Sequence, residues 1–132
     1  GDLIAVKSTS DIETLGTADF GSIVGWSTTT DGSGGGDNIN NVRFYSDQIS
    51  TWSTSGYNDI VLNSRALRDM RNDRTFYICL LNYDYDLRDI APTGYSTHIN
   101  GLYYIDNTST SKDPYIDYTL DTTDGVFFGA NF

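Results

Sequence analysis

The sequence predicts an all-β protein, an antiparallel β-sandwich with one short helix, and three observations support this. Residues that suit pleated strands are frequent, because 14% of the chain is aromatic and ten of the 132 residues are Tyr. Residues that favour turns are also frequent: Gly occurs 13 times, and all but one of the 18 acidic residues are Asp. Short apolar runs alternate with these turn-forming stretches along most of the chain, which is typical of a sandwich.

The clearest predicted strand is 75–83, which is apolar on both faces, as a strand in the middle of a packed sandwich would be. Residues 41–45 alternate apolar and polar side chains with the period of a half-buried strand. The remaining predicted strands are at 22–30, 58–62, 99–105, 115–120 and 126–128. The apolar run at 3–6 is too short to be assigned.

A single helix is predicted between a cap at Asn63 or Ser64 and about residue 72. Its apolar residues fall on one side, as an amphipathic helix requires, and they are Ala66, Leu67 and Met70.

A chain of this length fits one domain. We assign residues 1–120 to the sandwich and residues 121–132 to a C-terminal aromatic tail. Four apolar side chains of the tail would form an exposed patch, and they are Val126, Phe127, Phe128 and Phe132. The tail either clasps a neighbouring subunit or folds back as an edge strand of its own sandwich.

The charge of the chain excludes several classes of partner. Eighteen acidic residues against eight basic ones give a formal net charge of −10. Nucleic-acid binding and docking on an anionic membrane both need a basic surface, so neither is expected. No apolar run approaches the ~18 residues of a membrane-spanning helix, so membrane insertion is not expected either.

The second half of the chain has an order of elements that is similar to a known class of module. A Trp-Ser loop at 52–53 precedes Ile-Val-Leu-Asn at 60–63, the helix, and Tyr-Ile-Cys-Leu at 77–80. Asp-Tyr-Asp at 84–86, Ala-Pro at 91–92 and Thr-Ser-Lys-Asp-Pro-Tyr-Ile-Asp-Tyr at 110–118 follow. Over about residues 40–120 this order resembles the jelly-roll modules of tailed-bacteriophage virion structural proteins, notably tail fibres and appendages. Related jelly rolls bind carbohydrate. Residues 1–40 do not share the resemblance.

This resemblance implies a jelly-roll fold and structural or adhesive work rather than catalysis. The implied location is the virion, outside the cell, and the implied partners are other copies of the chain or other virion proteins. Host surface polysaccharide is the implied ligand. The alternative is a carbohydrate-binding module of a bacterial surface or secreted protein. A virion domain would associate as a trimer or higher oligomer, whereas a free module would be a monomer with an exposed aromatic platform.

Aromatic side chains are the candidates for glycan binding, because a ring face offers apolar area to a sugar. Trp52 and Tyr57 are the strongest candidates because they lie in a polar, loop-like stretch. Tyr95 and Tyr103 complete the predicted set. The alternative is that these rings pack inside the domain.

Three aspartates after the strongest strand, Asp84, Asp86 and Asp89, are candidate metal ligands. Ca²⁺ takes six to eight oxygen ligands, and neighbouring carboxylates can supply several, so calcium is the candidate cofactor. The alternative is that these side chains cap loop amides or pair with Arg88.

Arg65, Arg68, Arg71 and Arg74 recur every three residues and lie along one flank of the predicted helix. Guanidinium forks match phosphate or the carboxylate of sialic acid, so an anion site is one interpretation. A solvated face with local ion pairs is the other.

Catalysis has little support in the sequence. His98 is the single histidine, and no nucleophile-elbow motif accompanies it. Cys79 lies in an apolar strand, where a thiol is buried and inert. We therefore do not expect an enzyme.

Overall fold

The computed structural model describes residues 2–9, 21–26, 38–53, 55–93 and 113–119. Its contacts divide the chain into two units, Gly1–Asn100 and Gly101–Phe132. In the first unit the described elements follow one another in a simple order: strand β1 (Leu3–Lys7), helix α1 (Ser64–Asn72), strand β2 (Ile78–Asn82) and a π-helical turn (Tyr83–Leu87). No helix within these described residues is long and apolar enough to cross a membrane.

β1 lies at the centre of the first unit. On one edge it pairs with β2 in an antiparallel register that sets Ala5 opposite Leu80. On the other edge Leu3 and Val6 form single bridges with Ile49 and Phe44, and Ser8, the residue after β1, forms one with Ile23. Since both edges are occupied, four of its five residues are buried. The short run at 3–6 that the sequence leaves unassigned is therefore the best-buried strand among the described residues.

The two faces of β1 contribute to two separate cores, because successive side chains of a strand point to opposite faces. Ile4 and Val6 belong to the first core, with Ile23, Val42, Leu81 and Leu87. Ala5 belongs to the second core, with Tyr45 and Ala66 of α1, and with Ile60, Leu62, Phe76 and Leu80 packed against them. Lys7 shares the face of Ala5, so its side chain projects on the side of α1.

α1 begins and ends where the sequence predicts, which confirms that prediction. Asn63 is the N-cap, and its Oδ1 accepts hydrogen bonds from the main-chain N–H groups of Arg65 and Ala66. This cap satisfies two of the donors that the first turn leaves without helical partners. At the other end the N–H of Asp73 donates to the carbonyl of Asp69.

The buried side of α1 differs from the predicted one. Ala66 is buried and Met70 is half-buried, but Leu67 is 55% exposed. The second fully buried residue of the helix is Asp69, three positions after Ala66. A carboxylate buried at this position needs donors to replace its lost water.

The predicted β-sandwich, and with it the jelly roll, is wrong. Within the described residues the one sheet is the β1–β2 pair, and the fold combines this pair with α1. The runs at 22–26, 41–45 and 58–62 form no strands. The first two attach to β1 by individual main-chain hydrogen bonds, which include Val24 to Lys7 and Tyr45 to Ala5. Asn63, directly after the third run, donates to the carbonyl of Tyr45.

The physical reason for this difference is that apolar alternation reports burial rather than ladder formation. Gly25 shows how a ladder is interrupted, because its φ of 88° turns the chain directly after Val24. The strongest predicted strand is also shorter than 75–83. It is limited to β2, and Ile78 at its start is exposed instead of lying inside a sandwich.

In the second unit the described segment is 113–119, which has no regular secondary structure. Tyr115, Ile116 and Tyr118 are exposed there. The predicted strands at 99–105 and 126–128 and the C-terminal tail lie outside the described residues. The division at residue 120 stays a prediction.

Candidate anion-binding pocket

The carboxylate of Asp69 is the centre of a charged network on the inner side of α1. Its Oδ2 accepts hydrogen bonds from Lys7 Nζ at 3.0 Å and from the Tyr45 hydroxyl at 2.8 Å. Its Oδ1 accepts a hydrogen bond from Arg43 at 3.0 Å and lies 3.8 Å from Arg68 Nε. Both oxygens are thus engaged, and we call these five residues the Asp69 network. A buried charge that is satisfied in this way holds its neighbours in fixed positions.

Main-chain hydrogen bonds bring the donors of the Asp69 network together. The N–H of Lys7 donates to the carbonyl of Arg43 at 2.9 Å, and the N–H of Tyr45 donates to that of Ala5 at 2.8 Å. Segment 43–45 is therefore fixed alongside β1. Because Lys7 and Ala5 lie on the face of β1 toward α1, the strand and this segment both present donors to Asp69.

The Asp69 network shifts the pKa values of its members. The pKa of Asp69 is lowered, and the largest cause is the hydrogen bond from Lys7. Burial raises this pKa in opposition. The hydrogen bond from Tyr45 and the charges of Lys7 and Arg43 lower it further. Hydrogen bonds to Asp69 and then to Asp73 raise the pKa of Lys7. Burial first, and then the hydrogen bond to Asp69, raises the pKa of Tyr45 to about 12. At neutral pH the network therefore holds an ionised carboxylate, an ammonium group and a neutral phenol.

An open pocket of about 360 Å³ shares two residues with the Asp69 network. We call it the arginine pocket, and it is lined by Asn40, Asn41, Val42, Arg43, Arg65 and Arg68. The loop 40–43 supplies one wall, and the first half of α1 supplies the other. Its volume lies at the lower end of the ~300–1,000 Å³ that small-ligand sites occupy.

The arginine pocket is locally cationic within an acidic chain. Asp69 contacts two of its three guanidinium groups, but Lys7 shares the same carboxylate. Among the described residues Arg65 makes no ion pair. The buried Nε of Arg43 also has no hydrogen-bond partner in the described part of the chain. The pocket thus combines surplus positive charge with guanidinium donors of Arg65 and Arg68 that no described residue uses, whereas the Nε of Arg43 is closed to solvent.

The predicted glycan-stacking residues do not line the arginine pocket where they can be placed. Trp52 is half-buried and Tyr57 is 53% exposed. Tyr95 and Tyr103 lie outside the described residues. Their role in glycan binding stays a prediction.

The predicted metal ligands lie in and just after the π-helical turn. Asn82 Oδ1 accepts hydrogen bonds from the N–H groups of Asp84 and Tyr85, and Asp86 Oδ2 accepts one from the N–H of Asn82 at 3.0 Å. Asp89 has a positive φ of 54°. No three His, Cys, Asp or Glu side chains within the described ranges form a group that could hold a metal ion.

The calcium site therefore stays a prediction, which a melting experiment tests. If the three aspartates bind calcium, millimolar calcium raises the melting temperature, because it binds the native state alone. An unchanged transition in calcium and in a chelator leaves Asp86 with the capping role that the structure shows.

The thiol of Cys79 is half-buried in β2. Burial first, and then the charge of Asp86, raises its pKa, so it stays protonated at neutral pH. This agrees with an unreactive thiol. His98 lies outside the described residues.

The sequence pattern does not single out Lys7, Arg43, Tyr45 or Asp69. One signal was present: Asp69 follows Ala66 by three positions, and residues three apart share a helix face. Of the four arginines spaced by three, the structure brings Arg65 and Arg68 into the arginine pocket. Arg71 and Arg74 are exposed outside it.

Comparison of this chain with protein-family models, curated proteins and solved structures gives no match. The functional interpretation therefore rests on the chemistry of the residues themselves.

Proposed function

We propose that this chain is a non-catalytic adhesive domain that binds glycan on a cell surface. The observation that carries this proposal is the lining of the arginine pocket, which consists of arginines, side-chain amides and one valine. Arginine keeps its proton at any physiological pH, and amides do not titrate. Such groups bind and orient a ligand, but they do not act as nucleophiles or general bases near pH 7.

The shape and polarity of the arginine pocket support a sugar as its ligand. The pocket opens to solvent and has a volume suited to a small polar group. Asn40 and Asn41 each offer two amide donors and a carbonyl acceptor, which match hydroxyl groups that both donate and accept. A terminal or branching sugar can enter such a pocket while the rest of the glycan stays in solvent.

For the parent protein we propose a virion structural protein of a tailed bacteriophage, such as a tail fibre or appendage. What supports this is the order of sequence elements over residues 40–120, together with the net charge of −10, which disfavours nucleic acid as a partner. The proposal does not include the jelly-roll fold. Its partners are other copies of the chain or other virion proteins, and host surface polysaccharide is its ligand.

A carbohydrate-binding module of a bacterial surface or secreted protein is the second candidate. What supports it is the lining of the arginine pocket, since arginines and side-chain amides bind a sugar in a free module as well as in a virion protein.

A glycan array and a panel of bacteria test the adhesive function. The full chain, fluorescently labelled, is expected to bind a restricted set of glycans and the cells that display them. The Trp52→Ala and Tyr57→Ala variants report whether the predicted aromatic residues contribute. A folded chain that binds neither glycans nor cells contradicts the proposal.

Light scattering separates the two candidate parents. A virion domain is expected to form a trimer or higher oligomer, in keeping with the closed symmetry of such assemblies. A carbohydrate-binding module is expected to be monomeric at high micromolar concentration. A monomer that still binds glycan favours the second candidate.

A further inference from the structure

We infer that the glycan carries a carboxylate, as uronic and sialic acids do, and that the arginine pocket binds this group. The inference rests on the proposed glycan binding and names its chemical class. Arg65 and Arg68 are the residues that bind the carboxylate, and Arg43 completes the cationic wall.

Two guanidinium groups of the arginine pocket, those of Arg65 and Arg68, keep charge that is available to a ligand. Arg43 is held by Asp69 through one terminal nitrogen at 3.0 Å, and its buried Nε has no partner among the described residues. Arg68 reaches the same carboxylate at 3.8 Å, beyond hydrogen-bond length. Arg65 makes no ion pair with any described residue. Because the Nε of Arg43 is buried, the donors that an incoming anion reaches are those of Arg65 and Arg68, which donate no hydrogen bond to any of the described residues.

The arginine pocket has little of the main-chain cradle that is common in phosphate sites. Phosphate sites are commonly cradles of main-chain N–H groups at helix N-termini or in turns. Here three of the four N–H groups of loop 40–43 donate to main-chain carbonyls, in the pairs Asn41–Asn38, Val42–Asn38 and Arg43–Val24. The first turn of α1 is capped by the side chain of Asn63. Recognition falls to guanidinium forks, which bind a planar carboxylate in two parallel hydrogen bonds without help from main-chain N–H groups. The same forks also bind phosphate, so phosphorylated sugars are included as competitors in the test.

The protein has a net charge of −10, which repels an anionic ligand at long range. At physiological ionic strength exposed charges are screened beyond about 8 Å. A carboxylate in direct contact with guanidinium groups is within that distance of the pocket and is screened from most of the remaining surface. The local cationic charge therefore prevails at the site, and binding is expected to weaken as salt increases.

The test compares sugars that differ by one carboxylate. Isothermal titration of the full chain uses sialyllactose against lactose, and an oligogalacturonate against its carboxyl-reduced counterpart. Sulfated and phosphorylated sugars and an oligoglutamate peptide serve as competitors. For at least one pair, the affinity of the chain for the carboxylated sugar is expected to exceed its affinity for the neutral counterpart by about tenfold or more.

Three charge-matched variants locate the site. Arg65→Gln and Arg68→Gln are expected to lose about 10- to 100-fold in affinity for the carboxylated sugar, because each removes hydrogen bonds to a charged group. Arg71→Gln is the control: it removes the same charge from the same helix at an exposed position outside the pocket. The affinity of this control for the carboxylated sugar is expected to stay within about twofold of that of the unsubstituted chain. Melting temperatures confirm that all three variants are folded.

The outcomes distinguish this inference from the proposed function. The carboxylate inference is overturned if neutral glycans bind with the same affinity as acidic ones, or if all three variants lose the same affinity. Either result leaves the proposed adhesive function unchanged. Stronger binding of sulfated or phosphorylated sugars, or of oligoglutamate, also overturns it. A folded chain that binds no sugar, acidic or neutral, overturns the glycan-binding function and the inference together.

Discussion

The hydroxyl of Tyr45 donates a 2.8 Å hydrogen bond to Asp69, and this bond joins an apolar core to a charged network. Tyr45 is 1% exposed, and its ring stacks on Phe76 with the centroids 5.0 Å apart. The same carboxylate binds Lys7 of β1 and Arg43 of the pocket wall. Asp69 therefore links the strand, the helix and the arginine pocket.

Asp69→Asn is expected to lower the melting temperature by roughly 10 °C, because it removes the buried carboxylate that binds Arg43 and leaves Lys7 with only its exposed partner Asp73. The matched control is Asp73→Asn, which removes an exposed partner of the same Lys7. The control is expected to shift the transition by less than about 3 °C. Calorimetry on both variants measures the difference, and equal shifts would show that the burial of Asp69 has no special effect.

The stability of the protein is expected to be highest between about pH 5 and pH 9. Because the pKa of Asp69 is lowered on folding, this group stabilises the protein at pH values above its usual pKa of 3.8. This stabilisation is lost as the pH falls through the folded-state pKa. Because the pKa values of Lys7 and Tyr45 are raised on folding, these groups stabilise the protein below pH 10.5 and pH 10.0, respectively. The Tyr45 contribution is lost as pH rises toward about 12.

Denaturant midpoints from pH 2 to pH 12 test this profile. The Tyr45→Phe variant is expected to lose less stability than the parent between pH 10 and pH 12, because it has no phenol to ionise. It is expected to keep the acid limb, since Lys7 and Arg43 still bind Asp69. Identical alkaline limbs in parent and variant would rule out Tyr45 as their cause.

Gly25→Ala is expected to destabilise the protein by about 1–3 kcal/mol or more, for two reasons. The φ of 88° is unfavourable for alanine, and the added Cβ would clash with the carbonyl of Asn41, whose residue lines the arginine pocket. Gly21→Ala is the control, because nothing lies within 4 Å of its added Cβ. Chemical denaturation compares the two, and a Gly25→Ala protein as stable as the control would contradict the described turn.

Leu87→Ala is expected to cost about 2–5 kcal/mol, because it opens a cavity in the core that β1 shares with the π-helical turn. Leu87 is fully buried there. Val61→Ala is the control, because it also shortens an apolar side chain but at a site that is 80% exposed. It is expected to change the free energy of unfolding by about 0.5 kcal/mol or less. Urea unfolding provides the measurement. Similar costs would mean that Leu87 is not in a packed core.

The sequence alone determined the features that depend on near neighbours. The bounds of α1 follow from the Asn63 cap, whose side chain bonds to N–H groups two and three residues ahead. The strand character of β2 follows from its apolar run, although its length does not. A cap or a strand propensity depends on a few consecutive residues, so a local pattern is sufficient to predict it.

Three features depend on how distant segments pack: β1 is central, no sandwich forms among the described residues, and Asp69 is buried. The network around Asp69 joins it to Tyr45 across 24 positions and to Lys7 across 62 positions. At these separations, whether a carboxylate meets donors or water depends on how distant segments pack. A buried ion pair is stable only when its partners are in place, and a local pattern carries no information about those partners.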